Sequence, residues 1–133
     1  MPEEDPPRVY TRAEADALVR PLTGVIDVLR ETAAVLADES LAESLAGRAP
    51  GNGGGADGRG LATAALRFGA ALQRLNEWGV VVRDLEHGIC DFPAVREGRP
   101  VWLCWRYGEE RVGFWHDHDT GFAGRRPLDE ATE

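Results

Sequence analysis

The sequence predicts an α+β fold: an N-terminal antiparallel helical hairpin packed on a C-terminal antiparallel β-meander of three strands or slightly more. Three observations predict it. Apolar residues recur at three- and four-residue steps up to Trp78, and after Gly79 the spacing shortens to the two-residue alternation of strands. A glycine-rich stretch, residues 47–60, divides the helical part into two stripes. Seven of the ten aromatic residues lie between Phe92 and Phe122, where a small sheet would need bulky fillers. At 133 residues the chain suits one domain with a modest core.

Each element follows in order. Residues 1–9 are expected to be a frayed lead-in. Thr11 and Glu14 form a capping box, the hydroxyl and the carboxylate each taking one free N–H, and Tyr10 with Ala15 stand where a hydrophobic staple would place them. Leu18, Leu22, Val25, Leu29, Thr32 and Leu36 then continue an amphipathic helix over 11–46, widened by Ile26 and Ala33. Pro21 leaves the Ala17 carbonyl without its helical donor, which predicts a kink. Residues 47–60 read as a flexible linker, because six glycines within 51–60 make a fixed shape entropically costly. Leu61, Ala65, Phe68, Leu72 and Leu75 mark a second helix over 61–78, with Gly79 as its stop. Strands are expected at Val80–Val82, Leu85–Phe92 (ended by Pro93), Val101–Tyr107 and Val112–His116 within a meander over 80–127, before an acidic tail, 128–133. With an even loop at Gly108, Leu103, Trp105, Phe114 and His116 would share one sheet face. Trp102, Cys104, Arg106 and Trp115 would take the other. One hairpin covers one face only, so the second is expected to meet another subunit or a ligand.

Composition excludes several functions. Net charge is −8 and no basic stripe occurs, so nucleic acid is not expected as a partner. All 15 cations are arginine, which removes Schiff-base and P-loop lysine chemistry. The two serines, Ser40 and Ser44, sit in no GxSxG, and no GxGxxG joins a strand to a helix. No apolar run reaches the ~20 residues of a membrane span, so no membrane is expected as a partner. The acidic, proline-rich start is unlike a signal peptide, so a cytoplasmic location is expected. Cys90 and Cys104 form no CxxC pair and read as buried, reduced thiols.

Three constellations could carry chemistry. In Trp115-His116-Asp117-His118-Asp119, imidazoles and carboxylates suit zinc, iron or manganese, and Glu86, Asp91 and Glu109 could complete a site around His116. A turn with solvated or carboxylate-bonded histidines fits the same residues. Arginines interleave the aromatics, and Arg106, in mid-strand, needs an acidic partner such as Asp91, Glu109 or Asp117 if it is buried. It could equally anchor an anionic ligand, as could Arg125 beside the glycines of Gly121-Phe122-Ala123-Gly124.

The motifs Tyr10-Thr11 with Glu14-Ala15, Trp78-Gly79-Val80, Asp84-Leu85-Glu86, Gly88-Ile89-Cys90-Asp91-Phe92-Pro93, Val101-Trp102-Leu103-Cys104-Trp105-Arg106, Gly108-Glu109, Trp115-His116 and Gly121-Phe122-Ala123-Gly124-Arg125 resemble a bacterial family of small proteins, domain of unknown function 2203. The resemblance spans nearly the whole chain outside the glycine linker and implies no particular activity. It draws attention to Glu86, Asp91, Arg106, Glu109, His116 and Arg125. His118 lies outside its pattern, which favours His116 with carboxylates over a two-histidine site. The first expectation for function is a small cytoplasmic, non-enzymatic accessory or interaction protein acting as a homodimer. The alternative is a metal-binding protein or small metal-dependent enzyme using His116, Asp91, Glu86 and Glu109 with zinc, iron or manganese. A third reading is a binder of a small anionic metabolite through Arg106 and Arg125.

Overall fold

Helix α1, Arg12–Ala46, starts as the sequence predicts. The Thr11 N–H donates to Glu14 Oε1 at 2.9 Å, and the Glu14 N–H donates to Thr11 Oγ1 at 3.1 Å. Tyr10 and Ala15 are both buried beneath that cap. The computed structural model describes residues 8–46 and 55–128, so the expected lead-in up to residue 7, the core of the expected linker (47–54) and the tail from 129 lie outside the described residues. Helix α2, Gly55–Trp78, begins inside the expected linker rather than at Leu61. It ends as expected: Gly79 has φ +73°, its N–H reaches the Asn76 carbonyl, and the Val80 N–H reaches the Leu75 carbonyl at 3.1 Å. Those two bonds satisfy two of the carbonyls left free at the helix end, and the Tyr10 hydroxyl donates to a third, that of Trp78, at 2.6 Å. No helix among the described residues is long and apolar enough to cross a membrane.

Five strands follow: β1 Val81–Asp84, β2 Ile89–Arg96, β3 Arg99–Arg106, β4 Phe114–Asp117 and β5 Arg126–Pro127. They form one antiparallel sheet in sequential order, a meander of five strands where three or slightly more were expected. Pro93 does not end its strand. It pairs with Trp102 inside β2, opposite the point where β1 has already stopped, and its carbonyl accepts from the Tyr10 N–H at 2.8 Å. The missing proline N–H therefore faces the chain entering α1 and not the ladder with β3, which is where a strand tolerates proline.

The register between β3 and β4 corrects the expected faces. Leu103 pairs with Trp115 and Trp102 with His116, so the connection behaves as an odd loop, and His116 lies on the face of Trp102 and Cys104. Val112 decides this. It is fully buried outside any strand, with its N–H on Asp16 Oδ1 at 2.6 Å and its carbonyl on Arg12 Nε at 3.0 Å. The first turn of α1 thus draws Val112 out of the strand, and pairing resumes at Phe114.

The main core lies between α1 and the sheet face carrying Cys90, Phe92, Ala94, Val101, Leu103, Trp105 and Trp115. Helix α1 contributes Val19, Leu22, Ile26 and Leu29, a stripe slightly rotated from the expected one, and α2 joins through Ala71 and Leu75. Residues 118–125 of the same chain fold back over the centre of the other sheet face, with His118 stacked on Trp102 and Arg125 reaching toward Cys104.

Candidate metal centre

Beneath that returning segment, β2, β3 and β4 each point one polar side chain outward from the core. Asp91 is opposite Cys104 across β2 and β3, and His116 enters from β4 two residues beyond Phe114, the partner of Cys104. All three are buried: Asp91 is 1% exposed, His116 3% and Cys104 0%. One donor atom from each lies within 4.8 Å of the other two.

The hydrogen bonds set the chemistry. His116 Nδ1 lies 2.8 Å from the Asp117 carbonyl oxygen, an acceptor only, so this nitrogen carries a hydrogen. Nε2 lies 3.0 Å from Asp91 Oδ2, which also accepts from Arg83 Nε at 2.9 Å. A lone pair on Nε2 and an ionised carboxylate oxygen repel at that distance unless a proton or another cation is shared there. Among the described residues, Asp91 Oδ1 is buried and has no hydrogen-bond partner. Burial first, and then the negative charge of Asp91, pushes the Cys104 thiol up to about 12, so without a metal it is protonated.

A second group holds the cover in place. Arg125 donates to Glu109 Oε2 at 2.8 Å and Oε1 at 3.3 Å, and its guanidinium lies 3.8 Å from the Phe114 ring centre and 4.2 Å from that of Phe122. Its Nη1 also approaches Cys104 Sγ at 4.0 Å. Burial alone would lower the Arg125 pKa, but the Glu109 carboxylate outweighs it and the net shift is upward.

The family model described as Uncharacterized conserved protein (DUF2203) matches residues 8–128. The chain belongs to that family. Comparison with curated proteins and with solved structures finds no match.

In this DUF2203 chain the structure brings two of the four expected ligands together, His116 and Asp91. Glu86 is exposed in the turn between β1 and β2, where its carbonyl accepts from Arg30 at 2.8 Å. Glu109 is taken by Arg125 and by the Arg106 N–H at 2.9 Å. Neither joins the cluster; Cys104 takes their place. The two arginines expected as anion anchors lie outside the cluster. Arg106 is exposed, with its guanidinium 6.0 Å from the Phe122 ring centre, and Arg125 is committed to Glu109. Among the described residues the cation that lines the cavity beside the cluster is Arg83, 45% exposed. His118, outside the cluster, stacks on Trp102 at 4.9 Å. Cys104 was readable only as a buried thiol, because an even loop puts it on the face opposite His116.

Proposed function

We propose that this protein binds a transition-metal ion at Asp91, Cys104 and His116. The observation that carries the reading is the buried, unpartnered Oδ1 of Asp91 within a cluster whose three donor atoms lie within 4.8 Å of one another. A carboxylate half-satisfied in a buried place is costly, and a cation shared with sulfur and imidazole would remove that cost. The tautomer supports it too. A ligating histidine donates its other ring N–H to a carbonyl or carboxylate, and His116 Nδ1 faces the Asp117 carbonyl in that way.

The donor set narrows the metal. Thiolate with imidazole and carboxylate suits zinc or iron(II) better than manganese, which prefers oxygen. Three protein donors leave a fourth position for water or a ligand, the pattern of catalytic rather than structural zinc sites. A thiol nucleophile fits less well, because Cys104 is inaccessible and its pKa is raised rather than lowered.

Cobalt(II) titration of protein made without a His-tag tests the reading. A saturable thiolate-to-cobalt charge-transfer band is expected, lost in Cys104→Ser and in His116→Ala. Absence of that band in a folded wild-type protein, together with no zinc or iron after purification, would remove it.

Homodimerisation is a separate proposal. Leu66, 76% exposed, and Leu72, 47% exposed, place apolar surface on the outside of α2. Light scattering that gives a monomer mass at micromolar concentration would count against it.

A further inference from the structure

We infer that the cavity beside this cluster binds a small oxyanion through Arg83. The cavity has a volume of about 280 Å³ and is bounded by Arg83, Trp102 and His116, with Thr120, Gly121 and Phe122 from the returning segment. Drug-sized ligands occupy roughly 300–1,000 Å³, so its occupant is a few-carbon or single-ring acid, or a phosphate.

Arg83 is held ready for that task. Its Nε is fixed on Asp91 Oδ2 at 2.9 Å, and its guanidinium carbon lies 4.8 Å from the Trp102 ring centre. A guanidinium has five N–H donors, and this contact uses one. Among the described residues the Nη groups have no hydrogen-bond partner, and the side chain is 45% exposed beside the cavity. With Nε on Asp91, the remaining edge formed by the two Nη groups matches the two oxygens of a carboxylate or phosphate. Asp91, which also lines the cavity, takes only the Arg83 Nε through its Oδ2, and Asp117 pairs with Arg99 at 3.3 Å. Trp102, stacked on His118 with 20° between the ring planes, and Phe122 give a flat apolar wall for the body of an organic acid.

Oxyanion binding by Arg83 stands on its own geometry. That the oxyanion is the substrate class of the site rests on the metal reading, because Asp91 and His116 line the same cavity and would turn the open position of an ion toward it.

The test uses the whole chain, with chelator and with cobalt(II), and sodium benzoate or inorganic phosphate as probes against sodium chloride of equal ionic strength. For a Kd of ~1 mM, probe at tenfold that concentration is expected to raise the thermal midpoint by about 6 °C. Arg83→Gln is expected to abolish the shift. His118→Ala, an exposed change that leaves Asp91 untouched, is expected to weaken the benzoate shift more than the phosphate shift, and it keeps the test open if Arg83→Gln does not fold. A benzoate response points to an organic acid. A response to phosphate alone supports the oxyanion site with free phosphate as its ligand. A midpoint that neither probe moves beyond chloride overturns the inference, whatever cobalt does. An anion shift without a cobalt band leaves the inference standing and removes only the metal reading.

Discussion

Removing Asp91 tests whether one carboxylate holds the covered face of the sheet together. In Asp91→Ala the protein loses a bond from Arg83 Nε at 2.9 Å and one with the His116 ring at 3.0 Å. Charge-assisted bonds are worth about 1.5–3 kcal/mol each, and the Arg83 bond takes the lower figure because water reaches that side chain. Part of the loss is returned, since the unpartnered Oδ1 costs ~1–3 kcal/mol and disappears with the carboxylate. His116 keeps its bond to the Asp117 carbonyl. The net expected loss is about 2 kcal/mol, or roughly 8 °C in thermal midpoint for a chain of this size. Urea unfolding followed by tryptophan fluorescence, in chelator, measures it. A cycle with His116→Ala should give a coupling of about 1–2 kcal/mol. With zinc at a hundredfold excess over its Kd the wild type should gain about 2.7 kcal/mol and Asp91→Ala nothing. A loss below ~0.5 kcal/mol, or fully additive single effects, refutes the assignment of Asp91 as the shared acceptor.

The other expectations concern the frame around the site. Gly88 has φ +69°, and a Cβ there would overlap the Tyr107 Cβ, so Gly88→Ala should cost on the order of 3 kcal/mol or more, read as a fall in urea midpoint. Burial and then the charge of Asp91 push the Cys90 thiol from 9.0 up to about 12. Between these values the unfolded chain has released a proton that the folded chain keeps. Stability is therefore full below about pH 9 and falls toward pH 12, by up to ~1.4 kcal/mol per pH unit for each such thiol; urea midpoints at rising pH measure the slope, and Cys90→Ala should flatten it. Arg125→Lys keeps the charge but loses the fork and the stack on Phe114 and Phe122. It should cost about 1–2 kcal/mol and speed hydrogen exchange at the Gly124 and Arg125 amides, which bond to Gly121 and Phe122 in the cover.

Local signals survived best. The Thr11–Glu14 cap and the Gly79 stop are interactions between near neighbours, so nothing distant could overrule them. The errors came where distant residues decide. Alternation within β3 and within β4 was legible, but their relative register depends on Val112, whose backbone is held by Asp16 and Arg12, 96 and 100 positions earlier. One residue of slip put His116 on the wrong face and hid Cys104 as its neighbour. Pro93 misled for the same reason, because its tolerance depends on where β1 ends and on the chain at Tyr10. Glu109, expected around His116, pairs with Arg125 instead.

The two faces of this sheet come from the same strands, which makes their difference informative. On one side Phe92, Leu103 and Trp105 meet α1, and burial alone accounts for them. On the other, Asp91, Cys104 and His116 are as deeply buried under residues 118–125, although apolar residues there would avoid the desolvation of a carboxylate and an imidazole. A polar network can still be favourable when every atom is satisfied, and a partly satisfied one is worse than an apolar core. This network is satisfied at both His116 nitrogens and at Asp91 Oδ2, and unsatisfied at Asp91 Oδ1, alongside a thiol kept protonated by its surroundings. At the proposed site a divalent ion would answer both deficits: Asp91 Oδ1 would serve as a ligand and Cys104 would bind as the thiolate, so that two negative ligands would balance the ion's charge. Packing does not explain why the deficit falls where three ligand-type side chains converge. The proposed cation site would.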